Sequence, residues 1–294
     1  MTDFRMTPVY DLLLRGTART PVGLYHLQIA TAEQLCRLHY RPGSITTVKA
    51  RLKTLVDHGY IQADAMPTKF YKSSYYYALG ERGVSYLASI GLDVHDTFRA
   101  SKEVDKSFLF LTHTKEVNDI LIAAALVAQA DSRYHLESFT HERVLKRQPF
   151  KIKSGNHTFS IIPDAYLDFR LTTEQGQRRM PVFLEHDRGT EEQHYFKRRI
   201  RGYIALLKTD AFQERFGIRR ITIAFTTFKG DRRLKQMRSW TDEELKATNE
   251  SQEIGATFLF AALPDAVTPQ QAWLEPYWHT TPASTQERYA LLRS

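Results

Sequence analysis

The sequence lacks several features that would place it in a specialised class of protein. The chain of 294 residues has one cysteine, Cys36, so it forms neither an internal disulfide bond nor a thiolate cage for a metal, and this suits a reducing compartment. Its longest strongly apolar run, residues 120–130, is about half the length of a membrane span. The first residues do not show a basic segment followed by an apolar one. We therefore expect a cytoplasmic protein with no membrane partner.

Motifs for cofactors and covalent catalysis are also absent. No glycine-rich phosphate loop occurs, so we expect no nucleotide and no organic cofactor. His186 and His194 do not stand at zinc-triad spacing with any cysteine, and an isolated histidine is more often structural. Serine and cysteine nucleophiles have no motif support, and a tyrosine nucleophile lacks the histidine metal triad that would accompany it.

What the chain does contain is an ordinary globular composition with a basic excess. Hydrophobic residues make up 42% and charged residues 25%, which predicts a packed core, and the length favours two domains. There are 41 Lys and Arg against 33 Asp and Glu, an excess that weakly favours a polyanionic partner. Residues 143–153 hold several basic side chains and no acid, which also favours a polyanionic partner. The alternative interpretation of these residues is a solvated surface face.

The first domain, residues 1–92, has the pattern of a winged helix-turn-helix. Thr31 with Gln34 forms a capping box that predicts a short helix, which ends at 41–43. Ser44 is the predicted N-cap of a second helix that runs to Gly59 with an apolar stripe at helical spacing. A turn at 66–69 and a tyrosine-rich strand at 70–79 then predict a hairpin, or wing.

The outer side of the second helix is small and polar with a basic rim, which suits entry into a DNA major groove. We predict that duplex DNA is contacted by this helix and by two lysines of the wing. The residues are Thr46, Thr47, Ala50, Arg51, Lys53 and Thr54 on the helix, with Lys69 and Lys72 on the wing. The alternative is that the helix and hairpin pack on the second domain or on a partner subunit.

A polar linker at 93–112 leads to a second domain at 113–264 and a tail at 265–294. The predicted order is a helix from 113, strands at 136–144, 159–171 and 181–187, a helix opened by a Thr190 and Gln193 capping box, then strand, helix and strand. The overall fold class is therefore α/β, or α+β, with a mixed central sheet. The aromatic tail around Trp273 and Trp278 either docks on a partner chain, as in a homodimer, or folds back.

Three acids are expected at one edge of the central sheet. Asp164 lies in a strand segment, and Glu185 and Asp187 are two apart, hence on one face of the next strand. Clustered carboxylates repel one another unless a cation joins them, and oxygen ligands favour Mg²⁺ or Mn²⁺. We predict that the three acids bind such a metal. The alternatives are surface acids, or a structural ion network with Lys197, Arg188 or Arg201.

These residues resemble a known family. Pro163-Asp164, the string from Glu185 to Thr190, and a helix carrying Lys197 and Tyr203 resemble the replication-relaxation family of plasmid and mobile-element proteins, over roughly residues 20–264. The resemblance implies a winged helix followed by a domain related to the PD-(D/E)XK nuclease fold, also called restriction-endonuclease-like. By position, Asp164 and Glu185 match the metal-binding acids of those nucleases.

One position departs from the nuclease pattern. Active members usually have lysine two residues after the glutamate, and here that residue is Asp187. Lys197, in a row with Gln193 and Arg201, is the predicted substitute cation, with Arg188 as the other candidate. On the preceding helix, Glu116 is a possible outer ligand.

Whether the protein is an enzyme is left open by the sequence. One possibility is a metal-dependent nickase that acts on DNA. Another is a DNA-binding regulator or replication accessory whose inactive nuclease-like domain serves dimerisation or docking of other replication or mobilisation proteins. A third is an adaptor with no nucleic-acid role.

Overall fold

The structure is a computed structural model, and it describes residues 19–66, 75–92, 94, 98–104, 106–250 and 252–292. Its contacts divide the chain into two compact units, Met1–Leu126 and Val127–Ser294. The described parts combine helices with a mixed five-stranded sheet, so the predicted mixed α/β class, α+β overall, is confirmed. Among the described helices, none combines the length and the apolar character that crossing a bilayer requires.

The first unit places helices around a small antiparallel sheet of order β1-β3-β2. Its elements are α1 (Arg19–Leu27), β1 (Ile29–Thr31), α2 (Ala32–His39), α3 (Ile45–Asp57), β2 (Ile61–Ala65), β3 (Tyr75–Leu79), α4 (Glu81–Ser89), α5 (Ser101–Val104) and α6 (Phe108–Ala125).

The starts of α2 and α3 test two predicted caps. The capping box before α2 is confirmed, since Thr31 Oγ1 accepts from Gln34 N at 3.2 Å and Gln34 Oε1 accepts from Thr31 N at 3.1 Å. Ser44 precedes α3 as predicted, but its side chain makes no capping hydrogen bond. Helix α3 is held by the burial of Val48 and Leu52, which belong to the predicted apolar stripe.

The predicted hairpin is present as strands β2 and β3, with Ile61 opposite Leu79 and Ala65 opposite Tyr75. The strand expected over 70–79 is described from Tyr75 onward. Lys69 and Lys72, the two predicted wing contacts, lie outside the described residues.

Helix α6 is part of the first unit and packs against its other elements through buried polar groups. Asn118 Nδ2 donates to the carbonyl oxygens of Leu27 at 2.9 Å and Ile29 at 2.7 Å. Gln34 Nε2 donates to Lys115 O at 2.8 Å and to Asp119 Oδ1 at 3.0 Å. Because these bonds satisfy buried backbone groups, the compact unit extends to Leu126, beyond the 93–112 segment interpreted as a linker.

The second unit is built on the five-stranded sheet, of order β10-β9-β8-β7-β4. Strands β8, β9 and β10 run parallel, and β4, β7 and β8 form an antiparallel meander. Its elements are α7 (Val127–Ala130), β4 (Tyr134–His141), α8 (Glu142–Leu145), β5 (Phe150–Ser154), β6 (His157–Ile161), β7 (Ala165–Thr173), β8 (Gly176–Asp187), α9 (Gln193–Leu207), α10 (Ala211–Phe216), β9 (Thr222–Thr227), α11 (Gly230–Ala247), α12 (Gln252–Gly255), β10 (Phe258–Ala262) and a π-helix (Gln270–Leu274).

Two sequence expectations for this unit were wrong. The single strand predicted over 159–171 is two strands, β6 and β7, separated around Pro163, which lacks the N–H that a ladder needs. The capping box predicted at Thr190 and Gln193 is not formed, because α9 begins at Gln193 with Glu192 as its N-cap and no side-chain cap bond.

The tail after β10 folds back on its own unit. Trp273 and Trp278 are fully buried, and Trp278 Nε1 donates to Ala272 O at 2.7 Å. Backbone bridges join Phe260 to His279 in an antiparallel sense and Trp278 to Tyr289. The two indole rings are therefore part of the core, as the fold-back alternative expected.

Candidate functional site

Two of the three acids that the sequence singled out, Glu185 and Asp187, lie at the end of β8, the middle strand of the five-stranded sheet. Residues 181–187 of β8 are all buried, and Glu185 and Asp187 retain only 4% and 3% exposure. Side chains alternate along a strand, so these two acids share a face and His186 takes the other, where its Nδ1 lies 3.0 Å from Thr226 Oγ1. The prediction that Glu185 and Asp187 share one face is therefore confirmed.

Asp164 joins this strand end from the loop between β6 and β7. Its Oδ2 accepts a hydrogen bond of 2.7 Å from the backbone N–H of His186. The two carboxyl groups are close enough for the charge of Asp164 to raise the pKa of Glu185. The fold thus brings Asp164 and Glu185 together, as the sequence predicted.

Glu185 is held by two residues one turn apart on α9. Arg199 Nη1 donates to Glu185 Oε2 at 2.8 Å, and the Tyr203 hydroxyl donates to Glu185 Oε1. Burial raises the pKa of Glu185 to about 8, and Arg199 opposes this shift while Asp164 adds to it. Arg199 also donates to Glu191 Oε1 at 2.7 Å, so one guanidinium bridges two carboxyl groups.

Asp187 has its own arginine, supplied by α11. Arg233 Nε and Nη2 donate to the two Asp187 oxygens at 2.7 and 2.8 Å, a bidentate pair. Gly189 N donates to Asp187 Oδ1 at 2.7 Å, and Arg233 Nη2 reaches Glu191 O at 2.8 Å. The Arg233 guanidinium lies 4.8 Å from the centre of the Trp240 ring. Both carboxylate oxygens of Asp187 are therefore hydrogen-bonded to Arg233.

These contacts form one connected group, which we call the arginine-paired acid cluster. Its members are Asp164, Glu185, Asp187, Glu191, Arg199, Tyr203 and Arg233. Burial raises the pKa of Glu191 as well, and the charge of Arg199 opposes this shift.

Lys197 lies outside this cluster. Its Nζ is 2.6 Å from Glu243 Oε2 on α11, while Arg201 Nε is 3.5 Å from Glu244 Oε2 and Gln193 Nε2 donates to Glu243 at 3.4 Å. The predicted row of Gln193, Lys197 and Arg201 therefore exists and ties α9 to α11. Lys197 is two residues from Arg199, so the two cations lie on different faces of the helix.

The metal prediction concerns side chains that lie within the described residues. Among them, no group of three or more His, Cys, Asp or Glu side chains is arranged to hold an ion. Asp187 is turned to Arg233 and Glu185 to Arg199 and Tyr203. Glu116, the proposed outer ligand, lies on α6 in the first unit. The expected Mg²⁺ or Mn²⁺ site stays a prediction. Glu185 and Asp187 pair with Arg199 and Arg233, whereas the structural alternative named Lys197, Arg188 or Arg201.

Sequence reasoning missed Arg199, Arg233 and Glu191. A signal for the arginines was present in the helical spacing. Arg199 stands three residues after Phe196 and four before Tyr203, both buried, and Arg233 stands four before buried Met237. An arginine within a buried stripe needs an acid opposite it, and β8 supplies the acids.

In the first unit, the predicted DNA-reading side of α3 is exposed. We call it the α3 outer face, and it consists of Thr46, Thr47, Ala50, Arg51, Lys53 and Thr54. Lys53 Nζ pairs with Asp57 Oδ2 at 2.7 Å, and the Arg51 guanidinium lies 5.6 Å from the centre of the Tyr40 ring. The α3 side chains that were predicted to contact DNA therefore lie on one exposed surface of the helix.

Replacing Arg233 by Met should strongly destabilise the protein. The substitution keeps an unbranched apolar stem but strands the buried Asp187 charge, so urea unfolding should show a loss of about 3–5 kcal/mol. The double variant Asp187→Asn with Arg233→Met should recover part of this loss because no charge is left unpaired. Arg232→Met, at an exposed neighbour, is the matched control; an equal effect of the two single variants would contradict a stabilising network.

The raised pKa of Glu185 predicts a pH dependence of stability. Between its ordinary value of 4.5 and about 8, the folded protein keeps a proton that the unfolded chain releases. The free energy of unfolding should therefore fall as pH rises through this window. Glu185→Gln should flatten that decline, measured by urea unfolding from about pH 5 to pH 8. Glu192→Gln, at an exposed glutamate, should leave the decline unchanged, and parallel profiles for all three proteins would refute the assignment.

Part of the chain matches a model of a known protein family. The model described as Replication-relaxation matches residues 23–221, a segment that contains α2, α3, the acids of β8 and helix α9. Comparisons with curated proteins and with solved structures find no match. Because the matched segment is more than half of the chain, this protein belongs to the replication-relaxation family.

Proposed function

We propose that this protein binds duplex DNA through the α3 outer face, in the replication or maintenance of a plasmid or mobile element. The observation that carries the proposal is an exposed, small and polar helix surface with basic residues at its rim. Short side chains let a helix approach base edges, and cations contact phosphates. Membership of the replication-relaxation family supports a role in replication.

The order of elements in the first unit supports a winged helix. Helix α1, strand β1, helices α2 and α3, and the β2–β3 hairpin follow one another, and β1 pairs with β3 to close a three-stranded sheet. In such domains the second helix of the pair lies in the major groove and the hairpin reaches the backbone or minor groove. Helix α3 is the reading helix in this arrangement.

The second unit supports a relation to nucleases through its topology. An antiparallel meander of β4, β7 and β8 is followed by α9 and the parallel strand β9, with Asp164 and Glu185 close together at one edge. The arginine pairs favour the form of the proposal in which this domain does not cut DNA. It then serves docking of a second copy or of another replication protein.

The DNA-binding proposal predicts opposite effects for two changes on α3. Arg51→Ala should weaken duplex binding and lower the slope of log K against log salt by about 0.9, as expected for one lost phosphate contact. Asp57→Asn should strengthen binding, because it removes an anion and frees Lys53 from its ion pair. Fluorescence anisotropy with a labelled duplex at several salt concentrations measures both.

Asp265→Asn, at an exposed acid of the second unit, is the matched control for the charge change. It should alter DNA affinity less than Asp57→Asn does. Unchanged affinity for both α3 variants, with tight binding by the wild type, would exclude α3 as the reading helix. A wild type with no salt-dependent affinity would favour an adaptor without a nucleic-acid role.

The arginine-paired acid cluster predicts that the protein does not nick DNA. Supercoiled plasmid incubated with Mg²⁺ or Mn²⁺ should stay intact with the wild type and with Asp164→Ala alike. Mn²⁺ should also leave the melting temperature of the wild type unchanged, since a bound ion would stabilise the fold by mass action. Metal-dependent nicking that Asp164→Ala abolishes would contradict this and identify a nickase.

A further inference from the structure

Strands β5 and β6 form a two-stranded ribbon outside the main sheet. They pair only with each other in the described structure, from Phe150 opposite Ile161 to Ser154 opposite His157. The ribbon interrupts the chain between β4 and β7, which are hydrogen-bonded neighbours in the five-stranded sheet. The sheet is continuous without it, so the ribbon is an addition to the core of the second unit.

One face of the ribbon is anchored on α9. Phe150, Ile152 and Ile161 are buried in the core of the unit. Gly202 of α9 permits the close approach, since a Cβ there would lie 3.3 Å from Ile161 and 3.4 Å from Phe159. The inner face therefore fixes the ribbon firmly, and its outer face is free to carry another role.

The outer face is basic and hydroxyl-rich. Lys151 stands opposite Ser160 and Lys153 opposite Thr158, and all four residues are exposed. Within the described part of the chain, neither lysine has an ion pair, whereas Lys146, Lys197 and Lys208 each pair with a glutamate. No Asp or Glu occurs between residues 143 and 163. The positive charge of this face is therefore not offset locally.

The turn of the ribbon is small and polar. Ser154 and His157 face each other across Gly155 and Asn156, and Gly155 has a φ of +56°, which glycine adopts at little cost. At about 3.3 Å per residue, five-residue strands give a ribbon on the order of 17 Å long. Strands about 4.8 Å apart fit a major groove about 12 Å wide, which admits a two-stranded ribbon.

We propose that the outer face of the β5–β6 ribbon is a second contact with duplex DNA, separate from α3. Lys151 and Lys153 bind phosphates, while Thr158, Ser160 and the polar turn lie against the groove. The inference rests on the proposed function in that both concern DNA. It adds a binding element on the second unit, and the lysines of this element are separate from the two arginines that pair with the acid cluster.

The test measures binding of the full-length protein to a 5′-labelled duplex by anisotropy across a salt series. Lys151→Ala with Lys153→Ala should weaken binding and lower the salt slope by about 1.8, which is two phosphate contacts at about 0.9 each. Lys235→Ala with Lys246→Ala removes the same charge from exposed positions on α11 and should leave the slope near that of the wild type. Equal slopes for the two double variants would overturn the proposal.

A second measurement locates the contact. A photoreactive phenylalanine analogue at Asn156, in the turn, should crosslink to labelled duplex, and the same analogue at exposed Lys246 should not. Failure of crosslinking at Asn156 would reject the ribbon contact, as would full DNA affinity of the double variant Lys151→Ala with Lys153→Ala. If the ribbon variants behave as wild type while Arg51→Ala weakens binding, the ribbon inference fails and the α3 proposal stands.

Discussion

The pairing of buried acids at the end of β8 constrains how α9 and α11 pack on the sheet of the second unit. Strand β8 is the middle strand of the sheet, and two of its last three side chains are buried acids. A buried acid without partners is costly, so the helices on that face supply hydrogen-bond donors to Glu185 and a cation to Asp187. Arg199 from α9 and Arg233 from α11 do so, and their positions fix both helices against the strand.

This solution shapes what the domain can do. The resemblance to nucleases led us to expect acids that bind an ion, with a cation beside them that acts on a water molecule. Instead Asp187 pairs with Arg233, and Lys197, the predicted substitute cation, pairs with Glu243. These ion pairs are the reason that the proposed function favours binding over cleavage.

The two proposed DNA contacts differ in their side chains and in the part of the DNA that these side chains suit. The α3 outer face combines small side chains with Arg51 and Lys53, a mixture suited to reading base edges. The ribbon offers Lys151 and Lys153 with hydroxyl groups, a mixture suited to phosphates. In this proposal one element selects sequence and the other adds affinity that depends strongly on salt.

The sequence by itself determined the capping box at Thr31 and the shared face of Glu185 and Asp187. The capping box at Thr31 and the alternation that aligns Glu185 with Asp187 depend on neighbours a few residues away, so they are readable from the chain. Only the tertiary structure decided which cation meets which acid, because Arg233 is 46 residues from Asp187 in the chain. Local spacing indicates that an arginine faces the core, but the packing of α9 and α11 on β8 selects its carboxylate.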